Sequence, residues 1–317
     1  MTSEGCIELP YGITTIDTGY YRSRFAAAYL IVERGEAAII DTGSAASVPR
    51  LLGALADKGI APSAVRYVVV THIHLDHAGG AGLLLQHLPE ARLVVHPRGA
   101  QHLIDPARLI AGAMAVYGEE RYRALYREVV PVAAARVIEA PDNFELKLNR
   151  RPLLFLDTPG HARHHCCIYD AASRGVFSGD TFGLSYREFD SERGPFVFPS
   201  TTPVQFDPEA LHHSIDRLVS LNPERVYLSH FGCIRDVVSL AGQLHRGIDA
   251  FVELARARAA AGGGQSDLTE DLYAWLLQDL AAHRCRLPRE RILALLAVDV
   301  ELNAQGLALW LDRVDGR

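Results

Sequence analysis

Residues 68–80 read Val68-Val69-Val70-Thr71-His72-Ile73-His74-Leu75-Asp76-His77-Ala78-Gly79-Gly80. A run of β-branched residues leads directly into three imidazoles and a carboxylate. The run reads as a buried strand. His72, His74, Asp76 and His77 therefore stand together at the mouth of a sheet. Imidazole with carboxylate suits zinc, iron or manganese. The bland alternative is four solvated loop residues, which this motif density at a strand end argues against.

Outward from this stretch, strands are expected at Ile13–Asp17, Ala28–Val32, Ala37–Asp41, Val65–Val70 and Arg92–His96. Helices are expected at Val48–Lys58 and Ala78–His87. Strand–helix–strand alternation of this kind indicates an α/β layered architecture. Residues 98–135 carry apolar residues at loosely helical spacing and read as two or three inserted helices. Strands return at Val137–Glu139, Phe144–Leu148, Leu153–Asp157, His165–Tyr169, Gly175–Ser178 and Arg225–Leu228, with a helix at Pro208–Leu221. From about Ala241 the chain becomes helical: Gly262–Ser266 is a flexible break, and Leu268–Ala282 and Arg289–Asn303 are amphipathic. Asn303–Gly306 reads as a helix stop and Leu307–Leu311 as a final short element. The expected domains are a catalytic one over 1–240 and a helical extension over 241–317.

The chain has 317 residues, 49% hydrophobic and 22% charged, enough for one large or two smaller globular domains. Its net charge of −6 argues against nucleic acid as a partner. Met1–Pro10 shows no signal-peptide pattern, and apolar runs are broken by charge before membrane-spanning length. A soluble cytoplasmic protein without a membrane partner is expected. Five cysteines without a CxxC pair fit neither a disulfide framework nor a zinc knuckle. Cys166-Cys167 reads as buried apolar residues rather than a catalytic thiol.

A binuclear metal site needs about seven protein ligands, and residues 72–77 supply four. Three more candidates share one context, a strand end followed by a glycine-containing loop: His161 in Thr158-Pro159-Gly160-His161, Asp180 in Ser178-Gly179-Asp180-Thr181, and His230 in Leu228-Ser229-His230-Phe231-Gly232. Each alone could be a core or surface residue. Together, in this order, they point to one constellation. His87, His102, His245 and His283 lie in helical stretches without metal-ligand partners, His96 ends a strand before Pro97, and His212-His213 sits in a helix where only one of two neighbours can face inward; all are read as non-ligands.

The HxHxDH signature with the downstream His, Asp and His resembles the metallo-β-lactamase superfamily, over residues 1 to about 240. The resemblance implies a four-layer αββα sandwich with metals at one edge between the sheets. It implies His72, His74 and His161 on the first metal, Asp76, His77 and His230 on the second, and Asp180 bridging them. Asp180 sets the chain with glyoxalase II-like and lactonase-like members rather than with true β-lactamases. His74 in place of Glu departs from the flavodiiron oxygen reductases. Leu75 in place of Gly, with no basic arm, departs from the transfer-RNA-processing nucleases. Thr158–His165 looks like a glyoxalase II segment, although the glutathione-binding basic residues of that enzyme are not recognisable. The inserted helices and helical tail look more like the branch holding the quinolone-signal thioesterase and archaeal lactonase-like proteins.

Two cations ~3.5–4 Å apart can hold a bridging water as hydroxide near neutral pH. The expected activity is hydrolysis of an ester, lactone or thioester carbonyl of a small acyl substrate. The cofactor is two divalent metal ions, zinc, iron or manganese. Asp76, Asp180 and Tyr186 are the candidate catalytic residues, Tyr186 as a donor to the oxyanion. Asp41, Thr71 and His165 are candidates to orient the imidazoles. Tyr20 and Tyr21 lie on a loop expected over the metals. Met114, Tyr117, Tyr122 and Tyr126 form either an apolar lid for an acyl chain or a helix pair packed on the sandwich. Two other readings stand beside hydrolysis. One is a metal-retaining signalling protein working through its tail, whose Leu276, Leu280, Leu293 and Leu296 could cover the core or form a homodimer, the insertion being the other candidate dimer surface. The other is an iron-dependent persulfide dioxygenase.

Overall fold

The structure is a computed structural model and describes residues 5–314 and 316. Met1–Glu4, part of the amino-terminal stretch discussed above, lie outside these residues. The chain divides into two compact units. The first comprises the chain to Asp157, His164–Gly179 and Pro223–Arg235; the second comprises Thr158–Arg163, Asp180–Asn222 and the chain from Asp236. The second unit takes in two internal segments besides the tail.

The first unit holds both sheets. One orders β1 (Cys6–Leu9), β2 (Ile13–Asp17), β3 (Ala27–Glu33), β4 (Glu36–Ile40), β5 (Val65–Val69), β6 (Arg92–Val95) and β7 (Val137–Glu139) side by side. Pairing is antiparallel up to β4 and parallel from β4 to β7. Parallel neighbours need crossovers. Here they contain α1 (Val48–Asp57), then α2 (Leu75–Ala78) with α3 (Ala81–His87), then α4 (Pro97–Ile104), α5 (Ala107–Tyr117) and α6 (Glu119–Tyr126). The other sheet orders β13 (Gly232–Ile234), β12 (Arg225–Leu228), β11 (Gly175–Gly179), β10 (Cys166–Asp170), β9 (Arg151–Asp157) and β8 (Glu145–Leu148).

The twofold period of a strand assigns its side chains to faces. Leu30, Ile39, Val68 and Leu93 join a buried cluster with Leu51 and Leu55 of α1, Leu84 of α3 and Leu103 of α4. Their neighbours Ile31, Ile40, Val69 and Val94 join a second cluster with Phe155, Ile168, Phe177 and Tyr227 of the other sheet. Burying each such side chain is worth roughly 1.5–3 kcal/mol. These clusters make the first unit a stack of helices, sheet and sheet.

Two strands have no counterpart in the sequence reading. β1 is half exposed along its length, so it lacks an apolar alternation, and β13 is three residues long. Within the histidine stretch, α2 opens at Leu75, and Gly79-Gly80 separates it from α3.

The second unit holds α7 (Pro208–Ser220), α8 (Val237–Ala260), α9 (Gln265–Ala282) and α10 (Arg289–Val314). Asp207 caps α7, its carboxylate accepting from the Ala210 amide at 3.1 Å. The expected stop at Asn303–Gly306 is absent, and α10 runs through it. The Asn303 side chain is buried, accepting from the Thr201 amide at 2.7 Å and donating to the Pro199 carbonyl at 3.1 Å. A Cβ built on Gly306 would lie 1.7 Å from the Thr201 carbonyl oxygen. Both residues therefore make a notch for a crossing segment, which local sequence imitates as a cap. Unbroken, α10 is long and apolar enough to cross a membrane, with a window of mean hydropathy 1.6. Asp299 and Glu301 still interrupt its apolar run. Of that window 61% is buried, and α10 packs with α8 and α9, the behaviour of a core helix.

Candidate metal centre

Asp41 directly follows β4 and Thr71 lies two residues past the end of β5, two neighbouring parallel strands, so both sit at carboxyl ends where open α/β sheets place their sites. The buried Asp41 carboxylate accepts from the Thr71 amide at 2.8 Å, the Thr71 hydroxyl at 3.0 Å, the Ser229 hydroxyl at 2.7 Å and His77 Nδ1 at 3.0 Å. A buried charge needs such partners. The arrangement also fixes tautomers. With its Nδ1 proton on Asp41, His77 presents an Nε2 lone pair. The Thr71 hydroxyl donates to Asp41, so its oxygen accepts from His72 Nδ1 at 3.1 Å, and His72 likewise presents Nε2. His230 donates Nδ1–H to the Phe25 carbonyl at 2.9 Å. His74 is different: its Nδ1 lies 3.0 Å from His72 Nε2.

The nitrogens left over converge. His77 Nε2 and His230 Nε2 are 3.3 Å apart, and each lies 3.4 Å from Asp76 Oδ2. With both Nδ1 protons engaged by oxygen, two lone pairs and a carboxylate oxygen share one small volume. Positive charge must sit among them, as a proton on an imidazole or as a metal ion. Burial opposes ionisation of Asp76, but His77 and His230 outweigh it by charge and hydrogen bonding and hold the carboxyl well below its usual range. The donor set fits a divalent transition ion. Orienting roles follow for Asp41 and Thr71, while His165 stacks on His72 with ring centroids 4.9 Å apart. A Cβ on Gly179, whose φ is +49°, would fall 2.3 Å from His165 Nε2, so that strand end has no room for a side chain.

The second unit carries the other two expected ligands next to each other. His161 Nδ1 lies 3.3 Å from the Ser200 carbonyl, leaving Nε2 at 3.6 Å from Asp180 Oδ2, and the Ser200 hydroxyl donates to that same oxygen at 3.4 Å. Tyr186 is also in this unit, but not as an oxyanion donor. It is fully buried and directs its single hydroxyl proton at Asp299, with contacts of 2.9 and 3.0 Å. The six-residue spacing from Asp180 suggested proximity to the reaction, whereas packing commits the hydroxyl to α10.

The sequence reading did not single out Ser229, Phe25 or His164. Ser229 and Phe25 act through a hydroxyl and a main-chain carbonyl, which no ligand motif marks. His164 is buried, its ring 5.6 Å from that of His74. Around His230 runs an aromatic wall. Phe25 meets the His230 ring edge-on at 5.2 Å, Tyr20 lies 5.7 Å from Phe25, and Tyr126 stacks on Tyr20 at 5.7 Å. The Tyr20 and Tyr126 hydroxyls are 2.8 Å apart. Burial, then the Asp76 charge, push the Tyr20 hydroxyl well above its usual range, so it stays protonated. Tyr21 is 48% exposed instead. Tyr122 and Tyr126 are buried, while α5, which carries Met114 and Tyr117, buries none of its side chains fully. Cys166 is buried, and that burial raises its thiol well above the usual range, consistent with an inert apolar filler.

Two stacked sheets, parallel strand ends and pinned imidazoles define an α/β metal-binding scaffold. The chain belongs to the metallo-β-lactamase superfamily, whose family model matches residues 22–230. It is 30% identical over 186 residues to the acyl-coenzyme A thioesterase MBLAC2 of Gallus gallus, covering 53% of this chain and 62% of the relative. It is 32% identical over 198 residues to a hydroxyacylglutathione hydrolase of Xanthomonas euvesicatoria pv. vesicatoria, covering 62% of this chain and 56% of the relative. An archaeal superfamily protein from Sulfolobus tokodaii has a similar structure, with a TM-score of 0.61 and 25% identity over 75% of this chain and 86% of that one. The chain thus spans about three-fifths of the length of the curated relatives it matches.

Proposed function

We propose that the protein is a binuclear metal-dependent hydrolase of a small acyl substrate, with a thioester as the favoured bond. The observation that carries this reading is the convergence of the His77, His230 and Asp76 donor atoms beneath the Asp41 carboxylate. Ligands of the pair would be His72, His74, Asp76, His77, His161, Asp180 and His230, and the matched family region takes in all seven. When bound, two divalent cations, zinc in this reading, supply an ionisable water near neutral pH and a Lewis acid for the carbonyl. The chain's own residues do the rest. Asp41 and Thr71 hold His77 and His72 in the ligating tautomer. Asp180, an anion beside His161, offsets the charge of the cations. Phe25, Tyr20 and Tyr126 give an apolar wall that carries two protonated hydroxyls hydrogen-bonded to each other. The half-exposed apolar side chains of α5 suit an acyl chain.

The thioester preference rests on two relatives named for acyl groups on coenzyme A and glutathione, both thiols. Elemental analysis with turnover on matched oxygen esters, lactones and thioesters tests the proposal. Two metal equivalents and fastest thioester cleavage are expected, with Asp180→Ala lowering both metal content and rate. A fully metallated protein that cleaves none of these bonds would sink it. A single iron with oxygen consumption on a persulfide would replace it with the dioxygenase reading.

A further inference from the structure

Helices α7 and α8 each carry a histidine followed four positions later by an aspartate: His212 with Asp216, and His245 with Asp249. A spacing of four puts each pair on one helix face. The structure sets those faces against each other. His212 Nδ1 lies 2.6 Å from His245 Nδ1, with the two rings within 15° of parallel. Each outer nitrogen is held by the carboxylate of the opposite helix: His212 Nε2 is 3.1 Å from Asp249, and His245 Nε2 is 3.0 Å from Asp216. About a quarter of each imidazole is exposed, 26% and 27%.

An ionised carboxylate only accepts, so both Nε2 atoms carry hydrogen. The two Nδ1 atoms then share a single proton, since two protons would collide at this distance and none would leave lone pairs opposed. Paired imidazoles, each with one N–H fixed by a carboxylate and the other nitrogen aimed at a common point, have the outer-shell pattern of metal-ligating histidine. We propose that His212 and His245 form a second, surface site for a borderline divalent transition ion such as zinc, nickel or copper, apart from the metal centre described above. The ion binds both Nδ1 atoms and the shared proton leaves to water. Asp216 and Asp249 orient the rings and balance the added charge. Metal–nitrogen bonds of the usual length at a tetrahedral angle place the nitrogens about 3.4 Å apart. With centroids 4.9 Å apart the two Nδ1 atoms meet head-on, so the rings separate by about 0.8 Å and tilt to bring both lone pairs onto the ion, and solvent completes the coordination shell. Imidazole donors select such ions over magnesium or calcium. Sequence spacing hides the site, because 33 residues separate the two histidines.

The test uses protein already saturated with zinc at its main centre and freed of excess, then titrated calorimetrically with zinc. One further, weaker equivalent is expected. His212→Ala and His245→Ala should each remove it without changing prebound zinc or turnover, and His213→Ala should keep it. Asp216→Asn combined with Asp249→Asn should weaken it roughly 10- to 100-fold. Absence of a further equivalent in the unsubstituted protein, or its survival in both alanine variants, overturns the proposal. Copper(II) added to the zinc-saturated protein reports the ligands independently of any folding defect in the variants. Electron paramagnetic resonance should show coupling to two imidazole nitrogens, and copper without that coupling overturns the assignment.

Discussion

At the scale of single residues, Asp41 has the widest reach. Its carboxylate collects Thr71, Ser229 and His77, so one buried charge sets the tautomers of two candidate ligands. Asp41→Asn keeps the shape but replaces one acceptor oxygen with a donor. Zinc affinity, measured by chelator competition, should fall roughly 10- to 100-fold; an unchanged affinity would show that the outer contacts are incidental. His96 offers a second test. Its Nδ1 accepts from the Arg98 amide at 3.1 Å, capping α4, and its Nε2 lies 3.2 Å from Asp157. Burial, only partly offset by Asp157, lowers the pKa of this imidazole below the usual value. The unfolded chain therefore takes up the proton first as pH falls below about 6.5. Protonation also removes the capping acceptor. His96→Ala should cost about 1 kcal/mol near pH 7.5, and the gap should narrow as pH drops from about 6.5. Urea unfolding at several pH values measures both, and a pH-independent gap would contradict the cap.

At the scale of elements, α10 shows how a local pattern misleads. Asn303 and Gly306 have the residue types of a helix end, yet they sit inside α10 as a socket for Thr201. Gly306→Ala improves intrinsic helix propensity by about 1 kcal/mol, so an exposed site would gain stability. Here the new Cβ meets the Thr201 carbonyl, and a net loss of about 1–3 kcal/mol is expected from overpacking. A higher denaturation midpoint in the variant would refute the socket. The strands show the opposite case. The central strands bury both faces and so stand out as continuous apolar runs, while β1 buries little and does not.

At the scale of the whole molecule, a bound divalent metal would act as a ligand of the native state alone. Zinc at a hundred times its dissociation constant should stabilise the protein by roughly 2.7 kcal/mol, seen as a melting temperature that falls on chelation and recovers on re-addition. Equal melting curves with and without chelator would mean that the donor atoms hold no metal. His77→Ala and His230→Ala should each reduce the recovery.

The sequence by itself determined the α/β class, most strands and helices, and the seven candidate ligands, since these follow from short-range periodicity and from residue types at strand ends. Thr71–Gly80 was sufficient to point to a metal. Only the tertiary structure decided which atoms face each other. It put His230 beside His77 across 153 residues of chain, turned Tyr186 toward Asp299, and kept α10 continuous through Asn303 and Gly306. Those outcomes depend on hydrogen bonds and packing between distant segments, whose directions no local spacing encodes.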